Sequence, residues 1–189
     1  MKSLPPIILA SQSPRRQQLL RQIVHRFSVQ ASEAEEIAPS YLTPREIAMA
    51  NAWLKARAVA QENPDSLVLG SDTVVALGKR VFGKPADLAQ AQRFLGALSG
   101  QVHHVITGVA LIHARQQRFQ LDAECTEVTF QDLSPRIIRD YLTKIQPLDK
   151  AGGYAIQEHA DMILGAMHGS FTNVVGLPVE RLKSMLRAW

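Results

Sequence analysis

The chain has 189 residues, of which 46% are hydrophobic and 20% charged, and its formal net charge is +4 at pH 7. This length suits one domain, or one domain with a cleft between two lobes, and no apolar run approaches the roughly 20 residues of a membrane span. The single cysteine, Cys125, excludes an internal disulfide framework. A lone cysteine fits a reducing cytoplasm, and no signal-peptide cleavage pattern follows the first residues, so we expect a cytoplasmic protein.

The first third of the chain predicts one strand and two helices. "IILA", residues 7–10, is typical of a short buried strand, and Ser13 and Pro14 then provide the N-cap and first residue of a helix. The polar, acidic stretch after this helix is expected to be an exposed loop. A capping box that starts at Thr43 opens a second helix through about Gln61.

The rest of the chain alternates strands and helices, which indicates a mixed α/β domain. "LVLGSDTVVAL", residues 67–77, predicts two apolar strand pieces around a polar insert, and "GKRVFGKP" predicts a turn and a return. The remaining predicted elements are a helix over 87–98, a hairpin of two long strands over 102–130, a helix from Ser134, a glycine-containing loop over 147–157, a strand over 161–167 and a helix from Pro178.

The stretch "ILASQSPRRQQLL", residues 8–20, is the first candidate for chemistry. Free backbone N–H groups at a strand-to-helix turn attract anions, and Arg15 and Arg16 add the bidentate geometry that suits phosphate oxygens. Two arginines at the positive end of a helix macrodipole oppose it unless an anion offsets them. The alternative is that both arginines are solvated surface residues on a capped helix.

Three further residues are candidates by their local setting. Asp72 interrupts an apolar strand, where an unpaired buried carboxylate is costly, so it either caps a turn or acts on a metal or a water molecule. Lys84 lies between a glycine and a proline, which constrain its backbone and aim its amine; the alternative is an ordinary turn lysine. On local pattern alone, Lys55 is a solvated helix residue.

Two loops complete the candidates. Glu33, Glu35 and Glu36 form an acidic cluster that is either solvated or chelates a metal. In "GGYAIQ" the two glycines allow close backbone approach, and Gln157 can read a base edge with a donor and an acceptor at once.

Taken together, these segments resemble one family. "LASQSPRRQQLL", "SEAEE", "KARAVA", "LGSDTVV", "GKPADLAQAQRFLGALSGQVHHVITGV", "LDKAGGYAIQ" and "GSFTNVVGLP" occur in the order and spacing of the Maf proteins, which are nucleoside triphosphate pyrophosphatases. One such motif would be weak evidence, whereas seven in register are strong. The resemblance covers residues 7–185, which is nearly the whole chain.

The resemblance implies a single domain over residues 1–189, with a mixed sheet, flanking helices and two lobes around a cleft, like that of the inosine triphosphate pyrophosphatases. It also implies a homodimer and a divalent cation, with Mg²⁺ expected and Mn²⁺ or Co²⁺ as alternatives. By position, Asp72 matches the general base, and Glu36, favoured over Glu35, matches the carboxylate that serves the metal or the water. Asp72 and Glu36 are thus the predicted metal ligands. The residues that match the phosphate side of the site are Ser11, Arg16, Lys55 and Lys84.

Three positions separate the subgroups of this family. Members that act on dTTP and UTP carry Arg, Thr and Gln there, which in this chain are Arg15, Thr73 and Gln157, whereas the 7-methyl-GTP subgroup tends to have Trp, Gln and Glu. The resemblance therefore implies hydrolysis of dTTP and UTP, with modified pyrimidine nucleotides as further candidates, to monophosphate and pyrophosphate, a reaction that removes unwanted nucleotides from the pool. One departure is Glu158, since many such members have small residues here and a basic residue shortly after.

Two other functions stay open. An enzyme of the same fold could act on 7-methyl-GTP, which the residues at the three positions disfavour. A non-catalytic, nucleic-acid-binding regulator of cell division would suit a basic chain. Its basic residues are dispersed, however, and form no stripe with interleaved aromatics, so neither nucleic acid nor a membrane is an expected partner.

Overall fold

Strands and helices alternate along residues 4–189, which are the residues that the computed structural model describes. The strands are β1 (Ile7–Leu9), β2 (Ser28–Val29), β3 (Leu67–Leu77), β4 (Arg80–Phe82), β5 (Val102–His113), β6 (Arg118–Phe130) and β7 (Leu164–His168). The α-helices are α1 (Pro14–Arg21), α2 (Pro44–Glu62), α3 (Leu88–Leu98), α4 (Pro135–Leu142), α5 (Phe171–Val175) and α6 (Val179–Arg187). Short 3₁₀ turns, Ala151–Gly153 and Ala160–Met162, lie between α4 and β7.

One mixed sheet holds these strands in the order β2–β1–β3–β5–β6–β7, with β4 also paired to β3. β1 is parallel to both of its neighbours, and the other pairs are antiparallel. The predicted mixed sheet with flanking helices is therefore confirmed, and so is the long hairpin of β5 and β6. No helix within residues 4–189 is both long and apolar enough to cross a membrane.

The predicted helix starts are also confirmed. Ser13 and Ser134 cap α1 and α4 through their hydroxyl groups, and Thr43 and Glu46 form the reciprocal capping box of α2. Each of these helices has proline in its first turn, where a missing N–H costs nothing. The sequence patterns predict neither β2 nor α5, because elements this short show no hydrophobic period.

The structure corrects the prediction for β3. The sequence predicts two strand pieces around a polar insert, but residues 67–77 form one continuous strand. Pairing with β5 continues through the polar residues, with Asp72 opposite Gly108 and Thr73 opposite Thr107. The insert does not break the strand because β5 satisfies the backbone groups on that side, and successive side chains leave β3 on opposite faces of the sheet.

The other edge of β3 is covered only at its two ends. β1 pairs with residues 67–69, and β4 pairs with residues 75–77. Residues 70–74 therefore have no strand beside them on this edge, and we call them the open stretch of β3. The polar residues of the strand lie in this stretch.

One face of the sheet carries two apolar cores at opposite ends of the long strands. The first packs α1 and α6 against the start of β3 and the end of β5. The second packs α3 and α4 against the end of β3 and the start of β5. Between the cores the same face carries the polar side chains of Ser71, Thr73 and Thr107. This polar band separates two lobes and lies beside the open stretch.

Helix α2 covers the opposite face of the sheet at very close range. A Cβ atom added to Gly70 or Gly108 would meet the backbone oxygen of Ala52 or Ala48, well inside van der Waals contact. Both positions therefore require glycine, because a side chain would push α2 away from β3 and β5.

We expect Gly108→Ala to destabilise the protein by about 1–3 kcal/mol, the usual cost of overpacking a tight interior contact. Urea denaturation measures the free energy of unfolding. Gly96→Ala is the matched control, because an added Cβ on this exposed position of α3 meets nothing within 4 Å. Replacing glycine inside a helix should stabilise by up to about 1 kcal/mol. If Gly108→Ala and Gly96→Ala changed the free energy of unfolding equally, the close approach of α2 would not be the reason for glycine at position 108.

Candidate active site

A cleft of about 340 Å³ opens on the open stretch of β3, between the two lobes. It brings together eight of the predicted site residues: Arg15, Arg16, Glu36, Lys55, Asp72, Thr73, Lys84 and Gln157. The ninth, Ser11, is buried and does not line the cleft, but its hydroxyl accepts a hydrogen bond from Arg16 Nη1 at 3.3 Å. The volume falls in the usual range for small-molecule sites.

An ion cluster occupies the side of the cleft that faces α2. Lys55 Nζ lies 2.7 Å from Asp72 Oδ1 and 2.7 Å from Glu36 Oε1. Lys55 is thus not the solvated helix residue that its local pattern indicates. It joins the carboxylate on β3 to the acidic loop, and it offsets the cost of burying Asp72, which is only 5% exposed.

Asn51 of α2 completes this cluster, and the sequence analysis misses it. Its amide nitrogen donates to Asp72 Oδ2 at 3.2 Å and to the Ile37 carbonyl oxygen at 3.0 Å, while its oxygen accepts from the Ile37 N–H at 2.8 Å. One side chain therefore holds both Asp72 and the backbone of the acidic loop. The available signal was a polar residue on the otherwise apolar, buried face of this helix.

Glu36 is the acidic-loop residue that enters the cleft. Burial raises the pKa of its carboxyl, but the hydrogen bond and charge of Lys55, with the charges of Lys84 and Arg16, outweigh burial and hold the pKa below its usual value. The group is therefore ionised at neutral pH. Glu35 is exposed and does not line the cleft, so the geometry agrees with the preference for Glu36.

Arg16 lies on the other face of the sheet, against α5. Its Nε donates to the Gly176 carbonyl oxygen at 2.9 Å, and its Nη2 donates to Thr73 Oγ1 at 3.2 Å. Burial lowers the pKa of Arg16, while the charges of Asp72 and Glu36 act in the opposite direction. With the bond to Ser11, three of its five N–H groups are used, so one hydrogen on each terminal nitrogen remains for a ligand.

Arg15 points across the cleft to the loop that precedes the Ala151–Gly153 turn. Its Nη1 lies 2.9 Å from Asp149 Oδ2. Burial raises the pKa of Asp149, but hydrogen bonds and charge from Lys150 and Arg15 outweigh it and lower the pKa. The pair links the start of α1 in one lobe to the loop of the other.

Lys150 is the second residue that the sequence analysis misses. It is 7% exposed and lines the cleft, and its Nζ lies 2.8 Å from Asp149 Oδ1 and 3.9 Å from Glu158 Oε1. The resemblance marks two departures here, Glu158 itself and the lack of a basic residue shortly after it. The structure places a cation from earlier in the same loop beside that carboxylate.

The turn at Gly152 and Gly153 brings Gln157 to the cleft. Both glycines have positive φ angles, 73° and 74°, in the left-handed region that other residues rarely adopt. Tyr154 then enters the core, where its hydroxyl lies 2.8 Å from His103 Nε2. Burial lowers the pKa of His103 to about 4, so this ring is neutral at neutral pH. Gln157 itself is exposed and lines the cleft.

Lys84 is an exposed cation at the rim, on the connection between β4 and α3. Within residues 4–189 it belongs to no ion pair. Its charge nevertheless reaches Glu36, whose pKa it helps to lower. Lys84 is therefore available to an anionic ligand.

Comparisons with known proteins identify the family of this chain. Residues 6–189 match the family described as "Maf-like protein". A dTTP/UTP pyrophosphatase of Akkermansia muciniphila is 43% identical over 183 residues, which are 97% of this chain and 96% of that protein. A protein of the same name from Pelotomaculum thermopropionicum is 44% identical over 181 residues, 96% and 95% of the two chains.

Among solved structures, a HAM1 protein from Coxiella burnetii aligns with a TM-score of 0.44 and 17% identity, covering 67% of this chain and 73% of that one. The match to the family spans nearly all of the sequence and all of the residues that line the cleft. This chain is a member of the Maf-like protein family.

Proposed function

We propose that the protein hydrolyses nucleoside triphosphates, dTTP and UTP above all, to the nucleoside monophosphate and pyrophosphate. The observation that carries this proposal is the cleft itself, in which a carboxylate held by Lys55 and Asn51 faces the guanidinium of Arg16 and the ammonium of Lys84. The names of the relatives from Akkermansia muciniphila and Pelotomaculum thermopropionicum support the same reaction.

Asp72 is suited to the role of general base. Its oxygens are fixed by Lys55 and Asn51, so the carboxylate is held at the open stretch and is ready to orient a water molecule. In the proposed step the water oxygen bonds to the α-phosphorus, its proton passes to Asp72, and the bond from the α-phosphorus to the bridging oxygen breaks. Pyrophosphate leaves with that oxygen, and the monophosphate remains.

The three cations predicted for the phosphate side of the site divide into two kinds. Lys55 is already paired with Asp72 and Glu36, so its charge is largely balanced within the protein. Arg16 has unused N–H groups, and Lys84 is exposed, so these two carry the proposed binding of the triphosphate. Arginine suits phosphate through its forked geometry, whereas lysine acts as a point charge.

Glu36 and Asp72 are the residues that would hold a divalent cation. Their carboxylates converge on one ammonium group, which marks a position where positive charge is favourable, and hard oxygen ligands are what Mg²⁺ prefers. Within residues 4–189 no group of three or more acidic, His or Cys side chains forms a metal cage. A metal held by only these two carboxylates would take its other ligands from substrate phosphates and water. Such a cation supplies charge to offset the triphosphate and lowers the pKa of bound water.

Arg15, Thr73 and Gln157 are the proposed determinants of base preference. All three line the same cleft, on walls that belong to α1, β3 and the loop after the Ala151–Gly153 turn. This convergence supports a reading of the base by side chains from both lobes. The identities of these three residues favour dTTP and UTP over 7-methyl-GTP, because they are the residues of the pyrimidine subgroup.

Asp72→Asn should lower kcat for dTTP at least about a hundredfold, since an amide cannot accept the proton of the attacking water. Chromatography that resolves monophosphate from diphosphate measures turnover with Mg²⁺ present. The matched control is Asp161→Asn, an exposed aspartate outside the cleft, which should keep full activity. Undiminished turnover by folded Asp72→Asn protein would exclude this aspartate as the base.

Lys84→Ala should lower kcat/KM for dTTP by about tenfold or more, the loss expected for one charged hydrogen bond to phosphate. Lys79→Ala removes an exposed lysine of the nearby turn between β3 and β4 that does not line the cleft, and its kcat/KM should stay at the wild-type value. If both variants behave alike, Lys84 is only a turn residue.

A further inference from the structure

A chain of hydrogen bonds runs from the cleft into the core behind it. Arg16 Nη2 donates to Thr73 Oγ1, which lies 2.9 Å from Thr107 Oγ1. Thr107 in turn donates to the Asn173 carbonyl oxygen at 2.9 Å. Thr107 and Asn173 are fully buried, whereas Thr73 is half-buried and lines the cleft.

The inner end of this chain is rigidly held. The side-chain amide of Asn173 donates to the Val105 carbonyl oxygen at 2.9 Å and to Thr126 Oγ1 at 2.9 Å. These bonds fix α5 to β5 and β6. The carbonyl oxygen that Thr107 contacts therefore has one position, and it offers Thr107 an acceptor and no donor.

This arrangement determines the direction of the hydroxyl groups. A threonine hydroxyl has one hydrogen, and Thr107 uses it on the Asn173 carbonyl oxygen. The oxygen of Thr107 can then only accept, so Thr73 must donate to it while accepting from Arg16. The reverse direction would make one hydrogen bond fewer inside the core and would break the head-to-tail alignment of the dipoles.

The consequence lies in the cleft. The Thr73 hydroxyl donates its one hydrogen to Thr107, on the buried side. Its oxygen can therefore only accept a hydrogen bond from a ligand. Phosphate oxygens at neutral pH are also acceptors, and they cannot hydrogen-bond to this atom. A donor is required, and the imide N3–H of uracil or thymine is one, whereas N3 of cytosine is an acceptor.

We propose that Thr107, anchored by Asn173, is a positioning residue that holds Thr73 as an acceptor-only site for the imide N3–H and so selects uracil and thymine nucleotides over cytosine nucleotides. This inference rests on the proposed function and adds the physical basis of its base preference. Neither Thr107 nor Asn173 lines the cleft, so their effect on the ligand passes through Thr73.

The test compares kcat/KM for UTP and CTP in the wild type, Thr107→Val and Thr107→Ser. Valine has nearly the shape of threonine but cannot accept, so the Thr73 hydrogen becomes free to turn towards the cleft. The UTP-to-CTP preference should then fall by about tenfold, the worth of one hydrogen bond. Serine keeps the hydroxyl group, and Thr107→Ser should keep the wild-type preference.

A binding measurement separates this inference from the reaction. Calorimetric titration with α,β-imido-UTP and α,β-imido-CTP, which are not cleaved, should show tighter binding of the uracil compound by wild-type protein and a smaller difference in Thr107→Val. Equal losses for both compounds in Thr107→Val, or equal affinities in the wild type, would overturn the inference. The wild-type comparison holds even if Thr107→Val does not fold. Absence of pyrophosphate release with this binding pattern intact would overturn the proposed reaction and leave the inference standing.

Discussion

The site depends on the gap between β1 and β4 along one edge of β3. Within this gap the strand keeps its pairing with β5, so it stays rigid, yet its free edge opens to the cleft. Because side chains alternate along a strand, Asp72 and Thr73 leave on opposite faces and meet different helices. Asp72 meets Lys55 and Asn51 of α2, and Thr73 meets Arg16 of α1. The gap is where both faces of one sheet become accessible to one ligand.

Charge balance within the protein stabilises the side chains that line this cleft. Asp72 is almost fully buried, and Lys55 compensates its charge, while Arg16 is half-buried and donates to carbonyl and hydroxyl oxygens. The arginine pair at the start of α1 opposes the helix dipole, as the sequence indicates. Asp149 offsets Arg15 in the structure. In the proposed function the phosphates approach Arg16 and Lys84, so the internal ion pairs keep the carboxylates in place and do not compete for the substrate.

Much of the fold follows from local signals, and the site follows only in part. Proline and capping residues mark the starts of α1, α2 and α4, and alternation marks the hairpin of β5 and β6. Continuity of β3 could not be read locally, because the pairing with β5 that satisfies its polar residues is distant in sequence. Asn51 could not be predicted locally either, because its partners are 14 or more residues away. Lys150 and its partner Glu158 lie in a loop that has no hydrophobic periodicity. The homodimer, the cytoplasmic location and the identity of the metal stay predictions.

The open stretch of β3 also bears on how the protein behaves among other copies of itself. A free strand edge normally offers unpaired N–H and C=O groups to a second chain, which is how many sheets begin to aggregate. Here that edge is recessed between β1 and β4 at its two ends, and the side chains of Lys55 and Arg16 lie on its two opposite faces. An incoming strand would find only residues 70–74 free to pair, whereas a small anion can reach the unused N–H groups of Arg16. The geometry that admits a nucleotide therefore also excludes another polypeptide from the same edge.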